Sequence, residues 1–158
     1  MTTPAFRPTL APLIAQRRAE GFDVVVLDTT DVLSPEQLRR RDGTPLQARL
    51  NSLFHHHPGP NYLLLAGVFD TLSRSNIEAA IVPGLRGKAG RMKGKPCDSA
   101  YGLPGPDGAP TLAVGRFPAR NVQELRAMVQ KTLSFERDTQ PAESQDRLLL
   151  LTLQRHFE

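Results

Sequence analysis

The most constraining feature of this sequence is a series of short apolar runs that carry no polar alternation. They are Asp23–Asp28, Tyr62–Gly67, Thr111–Gly115 and Arg147–Leu153. A strand that is apolar on both sides must be covered on both faces, which is typical of strands in a parallel sheet. We therefore predict four buried strands.

Segments with helical patterns separate these runs. Leu10, Leu13 and Ile14 recur at helical spacing up to Gly21, which predicts a helix over residues 9–20 that ends at a glycine of positive φ. Three further helix starts are predicted by a capping side chain three residues before a glutamine or glutamate. These pairs are Ser34 with Gln37, Thr44 with Gln47, and Asn121 with Glu124, the last opening a helix to about Arg137. The alternation predicts an α/β fold: a mostly parallel sheet with helices on both faces and right-handed crossovers.

Composition limits the class of protein. A chain of 158 residues that is 39% hydrophobic can form one globular domain of ordinary core size. It has no apolar run of the ~20 residues that span a bilayer, and Met1–Arg7 lacks the pattern of a secretory signal, so we expect a cytoplasmic protein without a membrane partner. The single cysteine, Cys97, excludes an internal disulfide and a cysteine-rich metal cluster.

Residues 83–110 are rich in glycine and proline and predict a long loop, which is usually functional or loosely held. Five cations fall there without an acid, and without them the formal net charge of +4 would be −1: Arg86, Lys88, Arg91, Lys93 and Lys95. Nucleic-acid binding is one interpretation of this basic loop, and a solvated mobile loop is the other. The spacing matches neither a P-loop nor a dinucleotide motif.

Polar residues that follow the predicted strands suggest a second kind of site. Asp28, Asp70 and Arg116 lie at carboxyl ends of strands, where open α/β sheets bind ligands, and Asp98 lies in the loop nearby. Asp70 and Asp98 could hold a calcium-like cation, since hard cations take clustered carboxylate oxygens. The alternative is that these residues cap helices and pair with one another. Apart from that cation, no cofactor is expected.

Histidine and cysteine give no catalytic assignment from the pattern alone. His55–His57 are adjacent on a helix and point about 100° apart, so they cannot converge on one metal ion. Cys97 lies near Lys93 and Lys95, and cations favour a reactive thiolate. A catalytic cysteine also needs a base held by the fold, and His156 lies at the chain end.

Several segments, taken in order, resemble the gingipain-type cysteine peptidases, whose catalytic domain is caspase-like. These segments are Leu13–Leu27, Asn61–Asp70, Asp98–Gly102, Leu112–Arg120 and Lys131–Arg137. The family motif is matched at Gly67, Asp70, Asp98, Tyr101, Gly102, Gly115, Arg116 and Phe117. Two positions depart from it: Val68 replaces an acidic residue, and Met1–Thr3 resemble only the tail of a strand that precedes the first helix in the family.

The resemblance implies an incomplete caspase-like layer. Residues 1–137 would form the first of two α/β subdomains, and residues 138–158 a linker and the strand that begins the second. In the family the catalytic histidine and cysteine lie downstream of a strand that resembles Leu148–Leu153, so no residue of this chain matches either position. We expect a fragment or degenerate copy of a cysteine endopeptidase domain, inactive as an isolated chain, with a peptide substrate only if it is completed.

Two alternatives remain open. The chain could be a non-catalytic interaction subunit that pairs with a separate catalytic chain, or the missing second subdomain, through Leu148–Leu153 and its sheet edge. The other alternative, a nucleic-acid-binding module, depends on residues 84–95 alone.

Overall fold

The computed structural model describes residues 1–54, 61–69, 80–87, 93–102 and 112–138. Four α-helices lie within these ranges, and they are α1 (Arg7–Ala19), α2 (Pro35–Arg40), α3 (Thr44–Phe54) and α4 (Val122–Asp138). The strands are β1 (Asn61–Ala66), β2 (Leu85–Arg86), β3 (Pro96–Cys97) and β4 (Leu112–Phe117). The chain thus has the mixed α/β class that the alternation predicts.

Strands β1 and β4 pair in parallel over their full lengths, from Asn61 opposite Leu112 to Ala66 opposite Phe117. Both were predicted from their apolar runs, and the parallel direction is confirmed. Beyond the end of β1, Val68 forms a further parallel bridge with Ile81. Residues 70–79, which connect Phe69 to Ala80, lie outside the described residues.

The first three residues extend this sheet on the other side of β1. The Met1 amine donates to Leu64 O at 2.8 Å, and Ala66 N donates to Met1 O at 2.9 Å. Thr2 N donates to Leu27 O at 2.9 Å, so Met1–Thr3 lie between β1 and the segment before Asp28. Thr2 and Thr3 are buried, as expected for residues in the middle of a covered sheet.

Each face of the sheet is covered by a different set of helices. Leu64 and Ala66 contribute to an apolar cluster with Leu10 of α1 and Leu125 of α4. Leu63 and Leu65 point to the opposite face and pack in a second cluster with residues of α3, among them Leu46 and Leu50. Successive side chains of β1 point to opposite faces of the sheet, so this one strand contributes to both clusters. The predicted covering of both faces is confirmed.

The predicted strand over Asp23–Asp28 is wrong as a buried strand. Only Asp28 forms a bridge, with Thr2, and the side chains of Phe22 and Val25 are 46% and 60% exposed. The run is apolar, as a buried strand would be, but a strand also needs a hydrogen-bonded neighbour along its length. Met1–Thr3 provide that neighbour at one end alone.

Helix capping follows the predictions fully in one case of three and by half in a second. Ser34 Oγ accepts from Gln37 N at 3.2 Å and Gln37 Oε1 accepts from Ser34 N at 2.9 Å, a complete capping box. Asn121 Oδ1 accepts from Glu124 N at 2.8 Å, but Glu124 Oε2 accepts from Arg120 N rather than from Asn121 N. The predicted reciprocal cap of α3 is wrong: Asp42 Oδ1 accepts from Thr44 N, and Gln47 Nε2 donates instead to Ala100 O, because a distant turn packs against this helix.

The helix predicted over residues 9–20 is confirmed and begins two residues earlier, at Arg7. Gly21 follows it with a φ of 91°, the positive value that a glycine adopts without steric cost.

The described residues of the predicted loop over 83–110 include regular secondary structure. β2 and β3 pair antiparallel within it, with Leu85 opposite Cys97, and a 3₁₀ turn over Asp98–Tyr101 follows. Tyr101 is fully buried, so this part of the loop is held by the core. His55–His57 and Arg147–Leu153 lie outside the described residues, and their predictions stay predictions.

No helix in the described parts of the chain has both the length and the apolar character needed to cross a membrane.

Candidate functional site

Arg116, near the end of β4, is the centre of the most connected polar cluster in the described residues. Its Nε donates to Asp98 Oδ2 at 2.6 Å and its Nη2 donates to Asp98 Oδ1 at 2.8 Å. Its Nη1 donates to Gly67 O at 2.7 Å and to Val82 O at 3.0 Å. The side chain is only 10% exposed, so one guanidinium ties together β4, the end of β1 and two loops.

The bidentate geometry explains why arginine stands at this position. Two parallel N–H···O bonds match the fork of a guanidinium to a carboxylate, and lysine cannot reproduce them. Arg116 also reaches two carbonyl groups with the same side chain, which satisfies backbone oxygens where the strand ladder ends. The cluster is therefore a positioning device for the turn over Asp98–Tyr101.

Two glycines make this approach sterically feasible. Gly67 has a φ of 143°, and a Cβ there would lie 2.5 Å from Ala80 O. A Cβ on Gly84 would lie 2.1 Å from a ring carbon of Phe69 and 2.8 Å from Asp98 Oδ1. Side chains at either position would force apart the segments that Arg116 joins.

Tyr101 anchors the same turn from below. Its hydroxyl donates to Pro83 O at 2.7 Å, and the ring packs in the cluster with Leu46 and Leu65. Burial raises the pKa of the Tyr101 hydroxyl, and the nearby carboxylates of Asp98 and Asp42 act in the same direction. The phenol therefore stays neutral and acts as a structural donor.

A cavity of about 360 Å³ adjoins this cluster at the carboxyl ends of β1 and β4. Val68, Phe69, Asp98, Arg116 and Arg120 are among its lining residues. This is where a sheet of this class is expected to bind ligands. Arg116 is already engaged by four acceptor atoms, so its own role beside this cavity is charge pairing and positioning.

The cation site predicted from Asp70 and Asp98 stays a prediction, because only Asp98 lies within the described residues. Both carboxylate oxygens of Asp98 accept from Arg116, which is the ion pair of the alternative interpretation. Asp70 lies outside the described residues. Asp28 lies apart and accepts from Arg7 at 2.8 Å, and no group of three or more metal-ligating side chains occurs in the described ranges.

The remaining motif residues have simpler roles. Phe117 packs against the cluster of α1 and α4, and Gly102 N donates to Ser99 O at 2.9 Å at the end of the 3₁₀ turn. Gly115 lies in β4, where a Cβ would contact nothing within 4 Å. The structure gives no steric reason for glycine there.

Cys97 ends β3 beside this turn. Its Sγ lies 3.2 Å from Ser99 Oγ, and the residue is half-buried. No histidine occurs within the described residues. Among the described residues, the polar neighbour of the Cys97 thiol is thus a serine hydroxyl, which is not the base that a cysteine nucleophile needs.

Sequence reasoning missed two parts of the site. Pro83 and Val82 contribute only backbone carbonyl groups, which leave no signal in side-chain chemistry. Gln47 was assigned to a helix cap, but its side chain donates to Ala100 O at 2.9 Å. Contacts of this kind join residues far apart in the chain and become visible only in the folded structure.

The fold and this cluster define an α/β domain whose turn over Asp98–Tyr101 is clamped to the ends of two parallel strands. The model of peptidase family C25 matches residues 1–156, nearly the whole chain. The chain belongs to this family of gingipain-like cysteine peptidases, which confirms the resemblance found in its sequence. No curated protein and no solved structure is significantly similar to it.

Proposed function

We propose that this chain is a non-catalytic fragment or degenerate copy of a gingipain-like cysteine peptidase domain, corresponding to its first α/β layer. The observation that carries the proposal is the position of the only cysteine. Cys97 ends a two-residue strand of a hairpin, and its neighbour is Ser99. Family membership supports the peptidase origin of the domain.

Thiol proteolysis requires a thiolate, a base within hydrogen-bond reach, and donors for the developing oxyanion. The four histidines of the sequence, His55–His57 and His156, lie outside the described residues. The connected cluster around Arg116 supports a scaffolding role for this layer, because its polar groups are used to hold segments together. Peptide binding and hydrolysis would then depend on a second layer.

The test is hydrolysis of arginine and lysine p-nitroanilide peptides by the purified 158-residue chain. We expect no thiol-dependent release of nitroaniline, so treatment with iodoacetamide should change nothing. The Cys97→Ala variant should behave as the parent chain does. A second α/β layer from a family peptidase serves as the positive control for substrate and conditions. Turnover that is lost on alkylation and in Cys97→Ala would sink the proposal.

For a chain that begins at Met1, a second candidate is an interaction subunit, and the gap in the sheet next to Met1, between β1 and the segment before Asp28, favours it. Alternate residues of a parallel strand bond to the same neighbour. Because Leu64 O and Ala66 N bond to Met1, the amide of Leu64 faces the gap. Because Leu27 O bonds to Thr2, the amide of Leu27 faces the gap from the other side.

The surroundings of this gap are apolar. Phe22 and Tyr62 belong to its two sides, and their rings meet edge to face at a centroid distance of 5.9 Å. Val25 and Tyr62 are 60% and 62% exposed. An extended polypeptide that runs parallel to β1 satisfies the amides on both sides and covers these side chains. For a chain that begins at Met1, we propose a strand of a partner polypeptide as the occupant of the gap.

Hydrogen exchange of the native protein tests this candidate. We expect the amides of Leu27 and Leu64 to exchange rapidly in the isolated chain and slowly in a complex with a co-purifying polypeptide. The amide of Leu65, which faces β4, is the control and should be protected in both. A monodisperse monomer that melts cooperatively, with Leu27 and Leu64 already protected, would refute it.

A further inference from the structure

The fold brings together two basic stretches that are about forty residues apart in the sequence. Arg39–Arg41 end α2 and enter the turn before α3, and Arg86 lies in the β2–β3 hairpin. A cavity of about 930 Å³ lies between them, and its lining includes Arg40, Arg41 and Arg86. We call this cavity the basic cleft. Neither Arg116 nor Asp98 is among its lining residues.

The guanidinium of Arg86 is held in a fixed orientation at this cleft. Nη1 donates to Gly94 O at 2.8 Å across the hairpin. The guanidinium carbon lies 5.8 Å from the centroid of the Phe69 ring, within range of a cation–π contact. A guanidinium held by a carbonyl and a ring loses less conformational entropy when it binds an oxyanion than a free one does.

Positive charge exceeds negative charge on the walls of the cleft. Among the described residues that line it, Asp42 is the one acid, against three arginines. Asp42 Oδ1 accepts from Thr44 N at 2.9 Å, and hydrogen bonds from Thr44 hold the pKa of the Asp42 carboxyl below its usual range. That carboxylate is therefore used at the start of α3. Glu36 pairs with Arg40 at 2.5 Å, but both side chains are well exposed, where an ion pair contributes little.

Glycine backbone forms much of the remaining wall. Gly43, Gly84 and Gly87 line the cleft, and a Cβ on Gly43 would lie 2.5 Å from Tyr101 Oη and 2.7 Å from Gly84 O. Glycine is thus required at position 43, where the turn between α2 and α3 packs against Gly84 and Tyr101. Walls without side chains let an oxyanion approach backbone groups closely.

We infer that the basic cleft binds a small ligand that carries a phosphate or carboxylate group. Its volume lies within the range of about 300–1,000 Å³ that is usual for small-molecule sites. Arginine forks recognise both oxyanions through paired N–H···O bonds. No aromatic ring occurs among the described residues that line this cleft, so these residues do not offer the stacking that single-stranded nucleic acid uses.

Cys97 makes the test site-specific, because it lines the cleft and is the only cysteine of the chain. Its labelling by the dianionic reagent DTNB is compared with labelling by neutral iodoacetamide at low ionic strength, where charges are weakly screened. We expect pyrophosphate or tricarballylate to slow labelling at least about fivefold, and the two anions distinguish a phosphate site from a carboxylate site.

Four variants complete the experiment. Arg86→Gln and Arg41→Gln should each lower the preference for DTNB over iodoacetamide and weaken protection by the anion at least about threefold. Arg126→Gln, an exposed change of the same charge on α4, is the matched control and should alter neither. Arg86→Lys keeps the charge without the fork, and we expect it to restore the DTNB preference but not the anion protection.

The inference is overturned if neither anion protects Cys97, or if Arg126→Gln weakens protection as much as the cleft variants do. Protection by a single-stranded oligonucleotide without protection by either small anion would also overturn it, in favour of a nucleic-acid surface. Circular dichroism of each variant checks that the fold is intact. Hydrolysis of peptides does not enter the readout, so the result is independent of the proposed function.

Discussion

Removing the Arg116 guanidinium should destabilise this domain more than any exposed charge change does. In Arg116→Met the side-chain stem is kept, while Asp98 loses both partners and the carbonyl groups of Gly67 and Val82 each lose a donor. Asp98 is 30% exposed, so water replaces part of the lost pairing. We expect about 2–3 kcal/mol from the orphaned carboxylate and about 1 kcal/mol from the two carbonyl groups together.

The total, about 3–4 kcal/mol, is a large share of the roughly 5–15 kcal/mol by which such domains are stable. Urea unfolding followed by circular dichroism measures it directly. With a slope of about 2 kcal/mol per molar urea, the midpoint should fall by about 1.5–2 M. Arg126→Met on α4 is the exposed control and should stay within about 0.5 kcal/mol of the parent.

A double-mutant cycle separates the ion pair from the rest of the cluster. Asp98→Asn keeps the shape of the carboxylate and should cost about 1–2 kcal/mol by itself. The double variant should be little worse than Arg116→Met alone, because the same interaction is lost twice. Two results would show that Arg116 does not hold these segments together. One is a fall in the urea midpoint of less than about 0.5 M in Arg116→Met, and the other is a double variant whose loss of stability equals the sum of the two single losses.

Two further outcomes follow from burial. Leu65 is fully buried in β1, whereas Val25 is 60% exposed. In urea unfolding, Leu65→Ala should therefore lower the free energy of unfolding by about 2–5 kcal/mol, and Val25→Ala by less than about 0.5 kcal/mol. Equal losses would contradict the finding that the segment over Asp23–Asp28 is not a buried strand. In a chain that begins at Met1, burial lowers the pKa of the Met1 amine from 8.0 to about 6, although Asp28 opposes the shift. Because the folded-state pKa lies below the unfolded value, the contribution to stability is fully present above pH 8. About 2–3 kcal/mol of it is lost as the pH falls to 6. N-terminal acetylation should remove this pH dependence, and an equal loss in the acetylated chain would show that another group causes it.

The exposed gap beside Met1–Thr3 and the basic cleft lie at different places in the fold and lead to different experiments. The gap depends on unpaired strand amides and is tested by hydrogen exchange. The cleft depends on three arginines and is tested by the chemistry of Cys97. Their outcomes are therefore separable, and either can fail without the other.

Local sequence patterns determined those elements whose stabilising contacts lie within a few residues. The capping box at Ser34, the side-chain cap at Asn121 and the glycine after α1 each involve groups at most four residues apart, so local residue chemistry predicted them. The apolar runs of β1 and β4 indicated a parallel sheet covered on both faces, because such runs leave no side for water. The family followed from motif residues in their order along the chain.

Tertiary structure decided whatever depends on a partner that is distant in the chain. The run over Asp23–Asp28 has the composition of a buried strand but lacks a neighbour along most of its length, and Gln47 bonds to Ala100 rather than to its own helix start. The motif contained Asp98 and Arg116, yet only the fold shows that they pair and that Arg116 also holds the carbonyl groups of Gly67 and Val82. The basic cleft left no trace in the sequence, because the residues that form it are neighbours only after the hairpin packs against the turn between α2 and α3.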